Sequence, residues 1–186
     1  MIYVISAPSG AGKTTIIKEI FKILPGLKFS VSATTRQKRK NEADKKDYYF
    51  ISKEDFQNKV KNDEFVEWED VYGSYYGTLK NEIEKNLNIG NDLILDVDVK
   101  GALSIKKLYP ESVIFFIDVP KEELVSRLKK RNTESEEQIA KRAERIGFEI
   151  GLKNKFDHVI ENSSSIGGVQ LAVNEIVEII NKYKHK

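Results

Sequence analysis

The residues best placed to do chemistry come early. Ala7, Pro8, Ser9, Gly10, Ala11, Gly12, Lys13 and Thr14 follow directly on the apolar run Ile2–Ser6. Glycine at positions 10 and 12 lets the backbone turn tightly and approach a polyphosphate, so that amide N–H groups at a helix start point at its oxygens. Lys13 brings a positive charge for β- and γ-phosphates, and the Thr14 hydroxyl is a ligand for the Mg²⁺ that bridges them. Strand, loop, lysine, hydroxyl and helix in that order make a P-loop, with Ala7 where the motif usually has its first glycine. The alternative, a glycine-rich turn that binds nothing, would not need the lysine and hydroxyl together. A P-loop indicates a nucleotide and leaves the acceptor open.

A second acid-bearing segment, Leu93–Asp96, ends an apolar strand on a carboxylate, the setting of a Walker-B-like group near the metal, which Asp96 would reach through water. Asp98 is two residues on and is expected to face the same way on the strand. Ordinary strand-end acids are the alternative reading.

The acceptor is read from a set of motifs in order: Phe29-Ser-Val-Ser-Ala-Thr-Thr-Arg-Gln-Lys-Arg39, then Glu42, Asp47-Tyr-Tyr-Phe50, Glu64-Phe-Val-Glu-Trp68 and Gly73-Ser-Tyr-Tyr-Gly-Thr78. With these the chain resembles the guanylate kinase family over nearly its whole length. The resemblance implies an ATP:GMP phosphotransferase in which Arg36, Arg39, Tyr48 and Tyr76 hold the GMP phosphate while Ser32, Glu67 and Thr78 read guanine. It also implies that Asp96, Asp98 or both face the GMP nucleoside and the Mg²⁺ shell. The chemistry is consistent with that. Two arginines three apart, with tyrosine hydroxyls nearby, suit a dianionic phosphate monoester. Guanine presents N1–H and an exocyclic amine as donors beside O6, so an ionised Glu67 takes both donors while a Ser32 or Thr78 hydroxyl approaches O6. Adenine would set a lone pair against the carboxylate, a mismatch worth about 10⁴ or more in selectivity. The family often has glycine where Asn41 and Lys45 stand, and glutamine where Lys100 stands.

Residues 121–150 are densely charged and carry Arg127, Arg131 and Arg142, which match the family's lid arginines. On a closing lid they would neutralise the charge spread over the migrating phosphoryl group and keep water from accepting it. The plainer reading is a salt-bridged helical surface, since acids are interspersed. Asn162 matches the position that contacts adenine in relatives.

These residues need a scaffold. Short β-branched runs alternate with amphipathic stretches: Ile2–Ser6 with 13–24, 93–97 with 100–108, 113–119 with Lys121–Lys130, and 158–160 with 166–183. That rhythm predicts an α/β fold, a P-loop three-layer α/β/α core with a parallel sheet. Residues 29–34, 48–51 and Phe65–Val71 read as strands around a short helix after Ser52, so a small mixed α/β GMP-binding lobe interrupts the core. Trp68 is expected in the lobe core, facing away from Glu67. One guanylate kinase domain over 1–186 is expected, with a core at about 1–31, 79–120 and 151–186, the GMP-binding lobe at about 32–78 and a helical lid at about 121–150.

Bulk properties narrow the choice further. With 186 residues, 40% hydrophobic and 32% charged, the chain has the size and balance of one folded domain. A formal charge of +2, with basic clusters at separate loci, gives no footing for a nucleic-acid partner. The absence of cysteine excludes disulfides and thiolate chemistry and suits the cytoplasm. No apolar stretch is long enough to span a membrane. The expected partners are thus ATP with Mg²⁺, and GMP with dGMP beside it. The rivals are a non-catalytic module that binds phosphorylated peptides in the same acceptor pocket, and a kinase for another nucleoside monophosphate. Lys13 and Thr14 weigh against the first and Glu67 against the second.

Overall fold

The computed structural model describes residues 1–71, 73–130, 136–163 and 167–184. Five strands form a parallel sheet in the order β2-β7-β1-β8-β9, where β1 is Ile2–Ser6, β2 Lys28–Phe29, β7 Leu93–Asp96, β8 Val113–Asp118 and β9 His158–Glu161. Alternation along each strand sorts its side chains to two faces. Tyr3 and Ile5 of β1 pack with Ile16, Ile17 and Ile20 of α1 (Lys13–Ile23) and with Val173, Ile176 and Ile180 of α7 (Gly168–Lys184). Ile2 and Val4 point the other way, onto Ile83 of α3 (Lys80–Asn88) and Ala102 and Ile105 of α4 (Val99–Leu108). Three layers result. The core sheet needs no propensity beyond this, since central strands buried on both faces read as continuous apolar runs.

A second sheet, β4-β3-β6-β5, is mixed: β3 (Ala33–Thr34) runs parallel to β4 (Tyr49–Phe50) and antiparallel to β6 (Ser74–Leu79), which pairs antiparallel with β5 (Phe65–Val71). Its small core is Ala33, Phe56 and Phe65, with Phe56 supplied by α2 (Lys53–Lys61). The Ser52 hydroxyl caps that helix by accepting from Asp55 N–H at 3.0 Å. On the far side, α5 (Lys121–Lys130) and α6 (Glu136–Gly151) bury Leu124, Leu128 and Ile146 against the core.

Three sequence expectations need correction. The run 29–34 is not one strand. It is divided between the two sheets, because Ser30 N–H still bonds Ile94 C=O at 2.9 Å while Ala33 already pairs with Gly77. The stretch after Gly73 is a sixth strand followed by a helix, so the lobe has four strands rather than three. Trp68 does face away from Glu67, but 48% of it remains exposed. It meets Phe56 and Tyr75 in edge-to-face contacts, with ring centres 6.3 and 6.0 Å apart.

Candidate functional site

Because neighbouring parallel strands end together, β1 and β7 deliver their C-terminal residues to one place, the usual location of an α/β site. Ile5 pairs with Asp96, so the loop leaving β1 and the acid ending β7 are side by side. A cleft of about 440 Å³ opens there, walled by residues 7–15 on one side and by Ser32, Tyr48, Glu67 and Tyr76 on the other, with Asp96 and Asp98 at its base.

The phosphate loop has the backbone that its glycines permit. Gly10 and Gly12 lie at φ 92 and φ 88, and Gly12 caps α1 from the left-handed region. A Cβ on Gly12 would come within 2.9 Å of Asn162 Nδ2. Ala7 and Ala11 are buried anchors, while Thr14 is exposed on the first turn of α1. Lys13 stretches across to β7, with Nζ 2.6 Å from Asp96 Oδ1, and donates to Val97 C=O at 2.8 Å.

On the opposite wall Glu67 and Thr78 are paired across β5 and β6, and the Thr78 hydroxyl donates to Glu67 Oε1 at 2.5 Å. Burial, opposed by the Thr78 bond and reinforced by the nearby Asp98 charge, pushes the Glu67 carboxyl up to about 7. Arg36 is gripped by Glu42 through both terminal nitrogens, at 3.0 and 2.8 Å, and its Nε donates to the Tyr76 hydroxyl at 3.2 Å. Its guanidinium also lies 5.5 Å from the Tyr48 ring centre. Burial pushes the Tyr48 hydroxyl up to about 12, with Asp96 and Tyr76 adding to the effect, so it stays a proton donor at neutral pH. The Arg39 side chain is exposed, and its backbone N–H donates to Glu42 at 2.8 Å. The turn beyond it places Lys45 at φ 60, the left-handed region that glycine would enter more easily.

Asp98 is not on the strand with Asp96. β7 has ended, and Asp98 is the N-cap of α4, accepting from Gly101 N–H at 2.8 Å. The expectation that the two acids share a strand face is thereby corrected; capping geometry, not pleat, aims Asp98. Both still border the cleft.

Of the three arginines expected on a lid, Arg127 donates to Gly10 C=O at 3.1 Å and pairs with Glu123, so α5 touches the loop after β1 directly. Arg142 is a partly buried residue of α6, and Arg131 lies outside the described residues. Asn162 is buried at the end of β9 and donates to Ala11 C=O at 2.7 Å, bracing the loop from behind. With Gly12, Thr15, Arg127 and Gly168 it lines a second cavity of about 450 Å³ beside the cleft.

Residues not singled out from sequence complete the site. Glu69 lies one pleat beyond Glu67 and lines the same cleft. Arg145 of α6 reaches it at 2.9 Å and reaches Asp98 at 2.8 Å. The period-2 rule would have found Glu69 once Glu67 was chosen. Nothing in the sequence placed Arg145 opposite either acid, because that contact depends on how α6 packs across the cleft.

Among the described residues no cluster of three or more histidine, cysteine or acidic side chains could hold a metal ion by itself. A cation arriving with a polyphosphate and completing its shell from phosphate oxygens and water would need little more than the Thr14 hydroxyl and the Asp96 carboxylate that border the cleft.

The comparisons with known proteins agree with one another. A family model described as guanylate kinase matches residues 1–183. A guanylate kinase from Thermotoga maritima is 44% identical over 173 residues, covering 92% of this chain and 84% of that one. One from Caldanaerobacter subterraneus subsp. tengcongensis is 46% identical over 181 residues, covering 97% and 86%. Among solved structures, the crystal structure of guanylate kinase from Anaplasma phagocytophilum superposes with a TM-score of 0.79 at 31% identity, over 100% of this chain and 87% of that one.

Proposed function

Since the chain belongs to the guanylate kinase family and performs that family's reaction, phosphoryl transfer from ATP to GMP, we propose how its residues divide the work. The observation that carries the reading is the facing of two walls across one cleft, a lysine-bearing phosphate loop on one side and the Glu67–Thr78 pair on the other.

On the donor side, the loop 7–14 holds the ATP phosphates through its backbone N–H groups, Pro8 having none, and through the Lys13 ammonium, and Asn162 meets adenine at the second cavity. Thr14, with Asp96 through water, would hold Mg²⁺, which when bound offsets charge on the β- and γ-phosphates. On the acceptor side, Arg36, Arg39, Tyr48 and Tyr76 bind the GMP phosphate. Glu67, kept in place by Thr78, accepts from guanine N1–H and N2–H, Ser32 meets O6, and Asp98 adds to the nucleoside contacts. The phosphate of GMP is already an oxyanion near neutral pH, so no side chain has to remove a proton from it. Arg127, Arg131 and Arg142 stabilise the charge that spreads during transfer, and closure of the lid at about 121–150 over the core and the lobe at about 32–78 excludes water.

Base and phosphate carry this recognition, so dGMP is a second acceptor. No helix among the described residues is long and apolar enough to cross a membrane. The cysteine-free sequence suits a reducing compartment, and we assign the enzyme to the cytoplasm. A coupled assay of ADP formation with GMP, dGMP, AMP, UMP and CMP tests the reading. GMP and dGMP should be turned over and the other three should not; AMP turnover comparable to GMP would overturn it.

A further inference from the structure

The guanine end of the cleft is closed by a charge network drawn from three elements. Arg145 of α6 places one terminal nitrogen between Glu69 Oε2, at 2.9 Å, and Asp98 Oδ2, at 2.8 Å, while its Nε donates to Glu149 Oε1 at 2.9 Å. Glu69 belongs to β5 of the acceptor sheet, Asp98 to the N-terminus of α4 in the core, and Glu149 to α6 itself. Lys100 of α4 adds a second tie, 3.6 Å from Glu69 Oε1 and 5.7 Å from the centre of the Phe148 ring on α6.

Both oxygens of Asp98 are thereby committed, Oδ1 to the Gly101 N–H and Oδ2 to Arg145. Asp98 is thus held in one orientation. Glu67 is adjacent: its Oε2 and Asp98 Oδ1 both crowd Gly101, 2.7 and 3.1 Å from where a Cβ on that residue would be. Glu69 and Asp98 share a hydrogen bond with each other as well, and the guanidinium that bridges both holds the pair beside Glu67. Burial and the Asp98 contact raise Glu69. Asp98, despite its own burial, is held below the usual carboxylate range by Glu69, Gly101 and Arg145.

Resting on the acceptor site assigned under the proposed function, we propose that Arg145 is a positioning residue for the acceptor purine: bridging Glu69 and Asp98 from α6, it fixes the carboxylate wall beside Glu67 and ties that helix to the acceptor sheet. It acts through the acids and not on the transferred phosphoryl group. Its loss should therefore weaken GMP without touching ATP.

The test is steady-state kinetics of Arg145→Ala, Arg145→Lys, Glu69→Ala and the double variant Glu69→Ala/Arg145→Ala, with thermal melting of each. Arg145→Ala is expected to raise KM for GMP about tenfold, leaving KM for ATP within about twofold and kcat within about threefold. Arg145→Lys, with the charge but not the fork, should recover part of the loss. The double variant should be no worse than Arg145→Ala, because both remove one linkage. Equal rises in both KM values, an unchanged KM for GMP, or singles whose effects multiply in the double would each overturn the proposal. Should Arg145→Ala lose its melting transition, Arg145→Lys and Arg145→Gln carry the same comparison.

Discussion

Thr78 is fully buried and spends its hydroxyl proton on Glu67 Oε1, 2.5 Å away across the β5–β6 pair. The bond settles which way the carboxylate faces. One oxygen is held by the sheet, and the other is turned toward Gly101 and the cleft. In the proposed acceptor site such a carboxylate would meet a purine edge without reorganising, and selectivity between guanine and adenine would come from there.

If Glu67 receives guanine as proposed, its proton balance should make GMP binding pH-dependent. Burial raises Glu67 from its ordinary 4.5 to about 7, and only the ionised form can accept two donors. KM for GMP should therefore climb as pH falls below 7, by up to about tenfold per unit. Glu67→Gln should lose this slope and keep only the one from the phosphate of GMP, whose second pKa is about 6. Stability runs the other way. A carboxyl with a raised folded pKa contributes stability that is present below about 4.5 and lost as pH rises through about 7. Glu67→Gln should melt above wild type at pH 8 and not at pH 4. Kinetics across pH 5.5 to 8.5 and melting at the two pH values check both signs.

Lys13 is held 2.6 Å from Asp96 and 2.8 Å from Val97 C=O, so its ammonium is in position before any nucleotide arrives. Lys13→Met removes that charge and should lower kcat on the order of 10² to 10³-fold, with KM for GMP little changed. A loss confined to KM for GMP would put Lys13 on the wrong side of the cleft.

Arg36 depends on its fork. Glu42 accepts from both terminal nitrogens and Tyr76 from Nε. Arg36→Lys preserves charge but cannot make this set, and should raise KM for GMP on the order of tenfold while KM for ATP holds. Titration of each nucleotide separately distinguishes the two.

Gly101 lies in a helix, where alanine would ordinarily stabilise. Here a Cβ would come within 2.7 Å of Glu67 Oε2. Gly101→Ala should thus fold, with a melting temperature close to wild type, and bind GMP about fivefold or more weakly because the carboxylate is displaced. Unaltered GMP kinetics would show that Glu67 can shift without consequence.

What could be read from sequence followed from local rules. The P-loop needed only its own eight residues with the strand before and the helix after them, and the parallel sheet needed only β-branched runs alternating with helical ones. The lobe was harder. Residues 29–34 look like one strand because nothing in them marks the point where the chain leaves one sheet for the other, and the strand after Gly73 was recognised as a motif but not as an element. Asp98 is a helix cap and not a strand residue, and the sequence alone is ambiguous there, because a strand end and a helix cap both accept an aspartate and two residues of spacing cannot tell them apart. Glu69 and Arg145 escaped for a different reason: they meet across 76 positions of chain, through packing that no periodicity reports.

Whether Glu67 reads guanine is decided by the variant Glu67→Gln. Measured side by side with wild type, kcat/KM for GMP is expected to fall on the order of 10²-fold in the variant while KM for ATP stays within about twofold. A GMP constant unchanged by the substitution would contradict the claim and remove Glu67 from the acceptor site.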